Sequence, residues 1–408
     1  MLTRFYAKNY KGLLMDPLAL GRVNVFIGPN NCGKSNLFSA VSFVFDMFGR
    51  PEEGRGSLAA ALKRREQGSI VTYGEDVVEL GWTGDGLALE YHLALWSSPS
   101  GVVVRSESVF AAFQIANDIM VQSHEDGTVN WNMDYPFLGN HHGGRGMLDG
   151  FPRSESVLSG NVSVRNMNGQ LSSDLREDLS GVSQLCGMRL AESVQMNRAL
   201  RLAHVVPVEV AQASRAQHVT HLDDRALDLT NLLHAWLKSR DYNSRLISEL
   251  SPLLPGLTDL RVFEGGGYRW IQLQLRGEWR NLSELSDGTV IALLLAVILF
   301  APTQSQTLII DEPELNLHPA WARVVAGWIA RQTSWEQVLI GTHSPEILDP
   351  LTEAFRQGDV SLFVFQRAEE GFRVEPCPVE RLVGRISEGW MLGDLYRVGD
   401  PALGGWPW

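Results

Sequence analysis

Apolar and polar positions change period several times along this chain, and each change marks an element. Arg22 to Ile27 reads as a strand that enters a glycine-rich turn, and from Ser35 to Met47 the apolar residues recur at helical spacing. This predicts strand, loop, helix. Val77 to Trp82 and Leu87 to Trp96 alternate around Thr83-Gly84-Asp85-Gly86, as in an antiparallel hairpin, and Val102 to Phe110 adds a third strand.

From Phe113 to Ser183 the pattern weakens, and the stretch from Gly139 to Gly160, with Gly143-Gly144 inside it, has the composition of a loop. Helical spacing returns with Leu229, Leu232, Leu233, Trp236 and Leu237, and a second helix over about Asn243 to Leu250 ends before Pro252. Leu257 to Phe263 and Tyr268 to Leu275 read as strands joined through Gly265-Gly266-Gly267. A polar turn, Leu285-Ser286-Asp287-Gly288-Thr289, then opens the apolar helix Val290 to Ala301. Thr307 to Ile310 and Val338 to Gly341 are short apolar strands suited to the centre of a parallel sheet, and Ser361 to Gln366 with Phe372 to Glu375 flank Ala368 to Gly371 as a late hairpin. The fold class is therefore α/β, without internal repeats or a sustained heptad. Four segments follow: 1–112 with the glycine-rich loop and antiparallel strands, a loop-rich and helical insertion at 113–256, a second α/β part at 257–350, and a C-terminal hairpin with an aromatic tail at 351–408.

With 408 residues and 44% hydrophobic content the chain can bury a large core. A formal net charge of −12 argues against wholesale coating of nucleic acid and leaves room for a local basic groove. Cys32, Cys186 and Cys377 are too widely spaced for a disulfide framework or a zinc cluster, which predicts a reducing, cytoplasmic setting. The N-terminus lacks a signal-peptide succession, and the Val290 to Ala301 run falls short of the roughly 20 residues that span a bilayer.

Gly28-Pro29-Asn30-Asn31-Cys32-Gly33-Lys34-Ser35 matches G-x-x-x-x-G-K-[ST] in its required strand-loop-helix context. Its backbone N–H groups, continuing to Asn36, would curl round the phosphates of ATP; Lys34 reaches the β and γ phosphates and Ser35 ligates Mg²⁺. Asp311 and Glu312 directly follow an apolar strand, where a carboxylate can hold Mg²⁺ and a second can orient and deprotonate the attacking water. His343 follows the next apolar strand and would reach the γ-phosphate or that water. Catalysis thus falls to Lys34, Glu312 and His343, and the metal to Ser35 and Asp311. The turn Ser286-Asp287-Gly288 presents a helix N-terminus to an anion; as it has no phosphate loop of its own, it is read as completing another chain's site. The plain alternative is a helix cap.

Taken together, Gly28 to Ser35, Leu285 to Thr289, Leu308 to Glu314 with Leu317-His318-Pro319, and Gly341 to Pro345 resemble ABC-class ATPase heads, and more closely their RecF, SMC and OLD-like branch. Asn9-Tyr10-Lys11-Gly12 is similar to that branch too. The resemblance implies an ABC-type head with a mixed sheet, an antiparallel β subdomain and a helical insertion. It implies a homodimer, able to build higher oligomers, in which ATP lies between Gly28 to Ser35 of one chain and Ser286 and Gly288 of the other. A glutamine loop is also implied, with Gln67 and Gln114 as its candidates.

The short remainder after His343 lacks the acidic cluster of a TOPRIM nuclease, and no long coil of the SMC kind is present. The expected function is an ATP-hydrolysing dimeric switch that senses or clamps DNA or RNA, or controls a separate effector such as a nuclease, in anti-phage defence or DNA repair. One alternative is the nucleotide-binding subunit of a membrane transporter, against which Pro313 to His318 departs from a transporter-like Ser-x-Leu-Asp. Another is a self-sufficient nuclease using His141 and His142, or carboxylates not placed by the sequence, as metal ligands. The tail from Trp390 to Trp408 is aromatic enough to dock on its own core or on a partner. Cys32 is read as a small loop residue, or as a thiol activated by the helix N-terminus.

Overall fold

An apolar helix without a polar face must be covered on all sides, and the helix Asp287–Leu299 is buried throughout from Thr289 to Leu299. The computed structural model that shows this describes residues 1–48, 58–65, 70–84, 89–98, 101–113, 116–124, 129–137, 140–148, 199–202, 205–302, 305–369 and 371–405. The chain forms two compact units: Met1–Leu20, Asn31–Arg198 and Phe365–Glu375 make the first, and Gly21–Asn30, Ala199–Val364 and Pro376–Trp408 the second. The α/β class expected from the apolar pattern is what the chain adopts.

In the second unit, parallel strands lie in the order Val360–Ala368, Val23–Ile27, Trp335–Thr342, Ser305–Asp311 and Ala199–Leu202. Their centres are apolar because parallel strands are covered on both faces; Val23–Ile27 is buried at every position. The helix Asp287–Leu299 packs against Arg240–Leu250 and Pro319–Arg331. Carbonyls near its C-terminal end, which have no partner within the helix, are met from outside: Tyr242 Oη donates to Val297 O at 3.0 Å and Trp335 Nε1 to Ile298 O at 2.8 Å. Leu229–Trp236 and Arg240–Leu250 are the predicted insertion helices. They lie beneath an antiparallel 4-stranded sheet that includes Leu257–Gly265, Tyr268–Leu275 and Glu278–Asn281. At the C-terminal end, Leu392, Leu395 and Leu403 are buried in this unit's core, so the described part of the tail docks on its own unit; Trp406 to Trp408 lie outside the described residues. Arg397 binds Asp349 at 3.2 Å and Glu346 at 3.0 Å there.

The first unit is an antiparallel meander. Leu2–Tyr10 pairs with Val77–Gly84, which pairs with Leu89–Ser98, followed by Gly101–Phe113, as the alternation predicts. Beyond Phe113 the expectation of a loop-rich segment fails where residues are described. Ala116–Ser123, Val129–Phe137 and Asn140–Leu148 extend the same meander, with His142 opposite Tyr135 and Gly144 opposite Met133. Glycine lowers strand propensity, but ladder hydrogen bonds from a neighbouring strand override it. His141 and His142 therefore sit on a strand and not in a loop. Residues 149–198, including Cys186, and the glutamine-loop candidates Gln67 and Gln114 lie outside the described residues. Helix Lys34–Phe48 completes this unit, its Ser39 Oγ hydrogen-bonded at 2.9 Å to Tyr10 Oη at the end of the strand Leu2–Tyr10.

Candidate nucleotide site

The glycine-rich loop leaves the strand Val23–Ile27 and enters the helix Lys34–Phe48. Gly28 at φ 153°, Asn31 at φ 60° and Gly33 at φ 98° turn the backbone through conformations that side chains disfavour. At Gly33 there is also no room, because a Cβ would stand 3.0 Å from the Phe372 ring. A loop curled in this way suits phosphate oxygens, and a buried cation joins it: Lys34 is only 5% exposed, and its Nζ donates to Cys32 Sγ at 3.7 Å. These residues fit the polyphosphate and Mg²⁺ that the motif implies. Burial pushes the Cys32 thiol above its ordinary pKa, and the opposing pull of Lys34 is smaller. Cys32 is therefore a small packed residue and not an activated thiol. Asn36 turns its side chain to the Lys11 carbonyl at 2.7 Å.

In the second unit the sheet register aligns three strand ends. Ile27 stands beside Thr342 and Asp311 beside Gly341, so Gly28, Glu312 and His343 follow at one edge. Glu312 leaves its strand at φ 53°, a conformation costing about 1–3 kcal/mol that persists where the surroundings hold it. Two hydrogen bonds do so: Glu312 N donates to Gly341 O at 2.8 Å, and Leu315 N donates to Glu312 O at 3.0 Å. The turned carboxylate then faces the imidazole, with Glu312 Oε1 3.3 Å from His343 Nδ1. Both side chains remain partly exposed, which a water-activating pair requires.

Glu314, which the motif analysis leaves without a role, holds this arrangement from beneath. Its Oε1 accepts from Thr342 Oγ1 at 2.7 Å and from His343 N at 3.2 Å, and lies 3.6 Å from His343 Nδ1. Burial pushes the Glu314 carboxyl up, against the pull of these donors and of His343. A carboxyl raised by folding adds stability below its unfolded range and loses it as pH rises through the raised value. Glu314→Ala should leave two donors unpaired and cost about 1–3 kcal/mol, whereas Glu314→Gln keeps an acceptor. Relative to wild type, the Gln variant should therefore gain in stability with rising pH, as read by urea unfolding across the acid-to-neutral range. Equal losses in the Ala and Gln variants would contradict this. The sequence offers only a second acid two residues after Glu312, and the role of Glu314 follows from its contacts with Thr342 and His343.

The turn Ser286-Asp287-Gly288 caps the buried helix. Ser286 Oγ accepts from Thr289 N at 3.3 Å, so the cap reading holds, and Ser286 and Asp287 are nevertheless exposed. A Cβ at Gly288 would stand 2.9 Å from Asn316 O, in the segment that follows Glu312. Gly28 to Asn30, Ser286 to Gly288, Asp311, Glu312 and His343 belong to the second unit, and Asn31 to Asn36, with Lys34 and Ser35, to the first.

Among known families, the one described as "AAA domain, putative AbiEii toxin, Type IV TA system" matches residues 23–92 and 184–349. The chain belongs to this AAA-domain family. The matched segments of this AAA-domain ATPase hold the strand, the phosphate loop, the Ser286 turn, Asp311, Glu312 and His343. No curated protein matches the chain. Among solved structures, the AAA-domain chain is similar to an SMC head bound to the C-terminal winged-helix domain of ScpA, with 12% identity, 94% of this chain and 99% of that one covered, and a TM-score of 0.48. It is similar also to the SMC head domain of Thermotoga maritima, with 13% identity, 92% and 98% covered, and a TM-score of 0.38. No described helix is long and apolar enough to cross a membrane.

Proposed function

We propose that this protein hydrolyses ATP with Mg²⁺ and uses the cycle to close and open a homodimer. The observation that carries the reading is the alignment of Gly28, Glu312 and His343 at one sheet edge, with His343 Nδ1 3.3 Å from Glu312 Oε1. Bound Mg²⁺ supplies charge neutralisation at the phosphates, and Ser35 and Asp311 would hold it. Lys34 stabilises negative charge on the transferring phosphoryl group. Glu312 orients the attacking water and takes its proton, and His343, seated by Glu314, steadies that carboxylate and the water. Ser286 and the N–H groups of Asp287 and Gly288 serve the partner chain's phosphates, for which an exposed helix N-terminus is suited. Closure is passed to nucleic acid or to a separate effector. The toxin named in the family description supports a defence role over a transport one.

Phosphate release from ATP tests the chemistry. It should require Mg²⁺ and fall to background in Lys34→Ala, since the substitution removes the buried cation of the phosphate loop. Release that is unchanged in that variant would sink the assignment of the loop.

A further inference from the structure

The side chain of His343 is 41% exposed, so its place beside Glu312 depends on how the backbone around it is held. One side is fixed by Glu314, which accepts from Thr342 Oγ1 at 2.7 Å and from His343 N at 3.2 Å. The other side is Ser344. Its N–H donates to Thr342 Oγ1 at 3.0 Å. Its hydroxyl, which a serine before a helix ordinarily turns to the first N–H groups, donates instead to Glu346 Oε2 at 2.9 Å. Glu346 in turn accepts at Oε1 from Arg397 Nη2 at 3.0 Å. A continuous row of hydrogen bonds therefore joins the C-terminal helix Leu392–Arg397 to the residue next to His343.

The helix that carries Arg397 is fitted to the turn after His343. Leu392, Gly393 and Leu395 are buried, and Leu392 N donates to Thr352 Oγ1 at 2.9 Å. A Cβ at Gly393 would collide with the Pro345 carbonyl oxygen and with Asp349 Oδ1. Arg397 meets three carboxylates there. Asp394, at 2.9 Å, is an exposed neighbour on the same helix, a kind of pair that contributes little. Asp349, at 3.2 Å, is buried and is also held by Arg323 at 2.7 Å, so it keeps a cation when either arginine is lost. Glu346 has only Arg397 among the described residues. Burial pushes the Glu346 carboxyl up, and the hydrogen bonds from Arg397, its own backbone N–H and Ser344 outweigh this and hold it below its ordinary range. It is therefore ionised at neutral pH, the form that accepts from Ser344 and Arg397 together.

We infer that Arg397 is a positioning residue for His343: it holds Glu346, Glu346 holds Ser344, and Ser344 keeps the backbone of His343 where the imidazole meets Glu312. The inference deepens the proposed mechanism and rests on it for the part His343 plays in hydrolysis. Two measurements on the full chain keep the two apart. The first is the imidazole Cε1–Hε1 NMR signal of His343 in nucleotide-free protein with isotope-labelled histidine, assigned by its disappearance in His343→Gln. The signal should shift or broaden in Arg397→Ala and in Ser344→Ala. It should stay at the wild-type position in Arg323→Ala, which removes the other cation of Asp349 and leaves the row from Arg397 to Ser344 intact. The second is phosphate release from ATP. Arg397→Ala and Ser344→Ala should each lower kcat about tenfold, the scale of a slightly misplaced catalytic group, with KM within about threefold because the phosphate loop is untouched. Their double variant should lose no more than the worse single, as residues acting through one row do, and Arg323→Ala should keep kcat within about twofold. Ser344→Ala leaves the C-terminal helix attached and carries both measurements if Arg397→Ala loses its fold by circular dichroism. A His343 signal unmoved in the Arg397 and Ser344 variants would overturn the inference, as would an equal displacement in Arg323→Ala. So would an unchanged kcat, a rise in KM alone, or losses that multiply in the double variant. A displaced signal in a chain that hydrolyses no ATP would support the positioning of His343 and defeat the proposed function instead.

Discussion

Glu312→Gln is expected to lower phosphate release from ATP by about 10²–10⁴-fold, the range for removing a positioned general base, while leaving nucleotide binding intact. The substitution keeps the size of the side chain and the backbone bonds from Glu312 N to Gly341 O and from Leu315 N to Glu312 O, so the turn at φ 53° should survive. What it removes is the negative charge 3.3 Å from His343 Nδ1 and the capacity to take a proton from water. Lys34 and the phosphate loop are unaltered, and a fluorescent ATP analogue should bind with affinity within about threefold of wild type. Hydrolysis at the wild-type rate would assign the base elsewhere and reduce Glu312 to a structural residue with unusual φ.

Two inactive variants should restore each other. Lys34→Ala damages the phosphate loop, and Ser286→Arg places a bulky cation where the exposed helix N-terminus would meet the partner's phosphates. If each site combines the loop of one chain with the Ser286 turn of the other, a mixed dimer carries one site with both faults and one with neither. With random exchange half of the dimers are mixed, so equimolar mixing should return about a quarter of wild-type activity from two preparations that have almost none. Sites confined within single chains would give no recovery. The prediction depends on Ser286 being exposed while its oxygen caps Thr289 N, an arrangement that serves the fold and a partner together.

The phosphate loop, the apolar parallel strands and the buried helix from Asp287 were legible in the sequence, because each depends on the residues within a few positions of itself. The positions of Asp311, Glu312 and His343 at or just after the ends of apolar strands were readable for the same reason. The strands from Ala116 to Leu148 were not. Their glycines and polar residues carry little strand preference, and partners in the meander, such as Tyr135 for His142, supply the pairing. Glu314 was hidden because its role depends on burial beneath Thr342 and His343, far along the chain. The tight approach of Gly288 to Asn316 is likewise a tertiary fact.

On the proposed cycle, nucleotide binding joins two copies of this chain and hydrolysis separates them. Light scattering after size exclusion of Glu312→Gln, with and without ATP and Mg²⁺, tests it most directly. A single chain's mass of 45.3 kDa is expected without nucleotide and twice that mass with ATP, with the shift lost when Ser286→Arg is added. A mass unchanged by ATP at every concentration, in a variant that still binds the nucleotide, would contradict it.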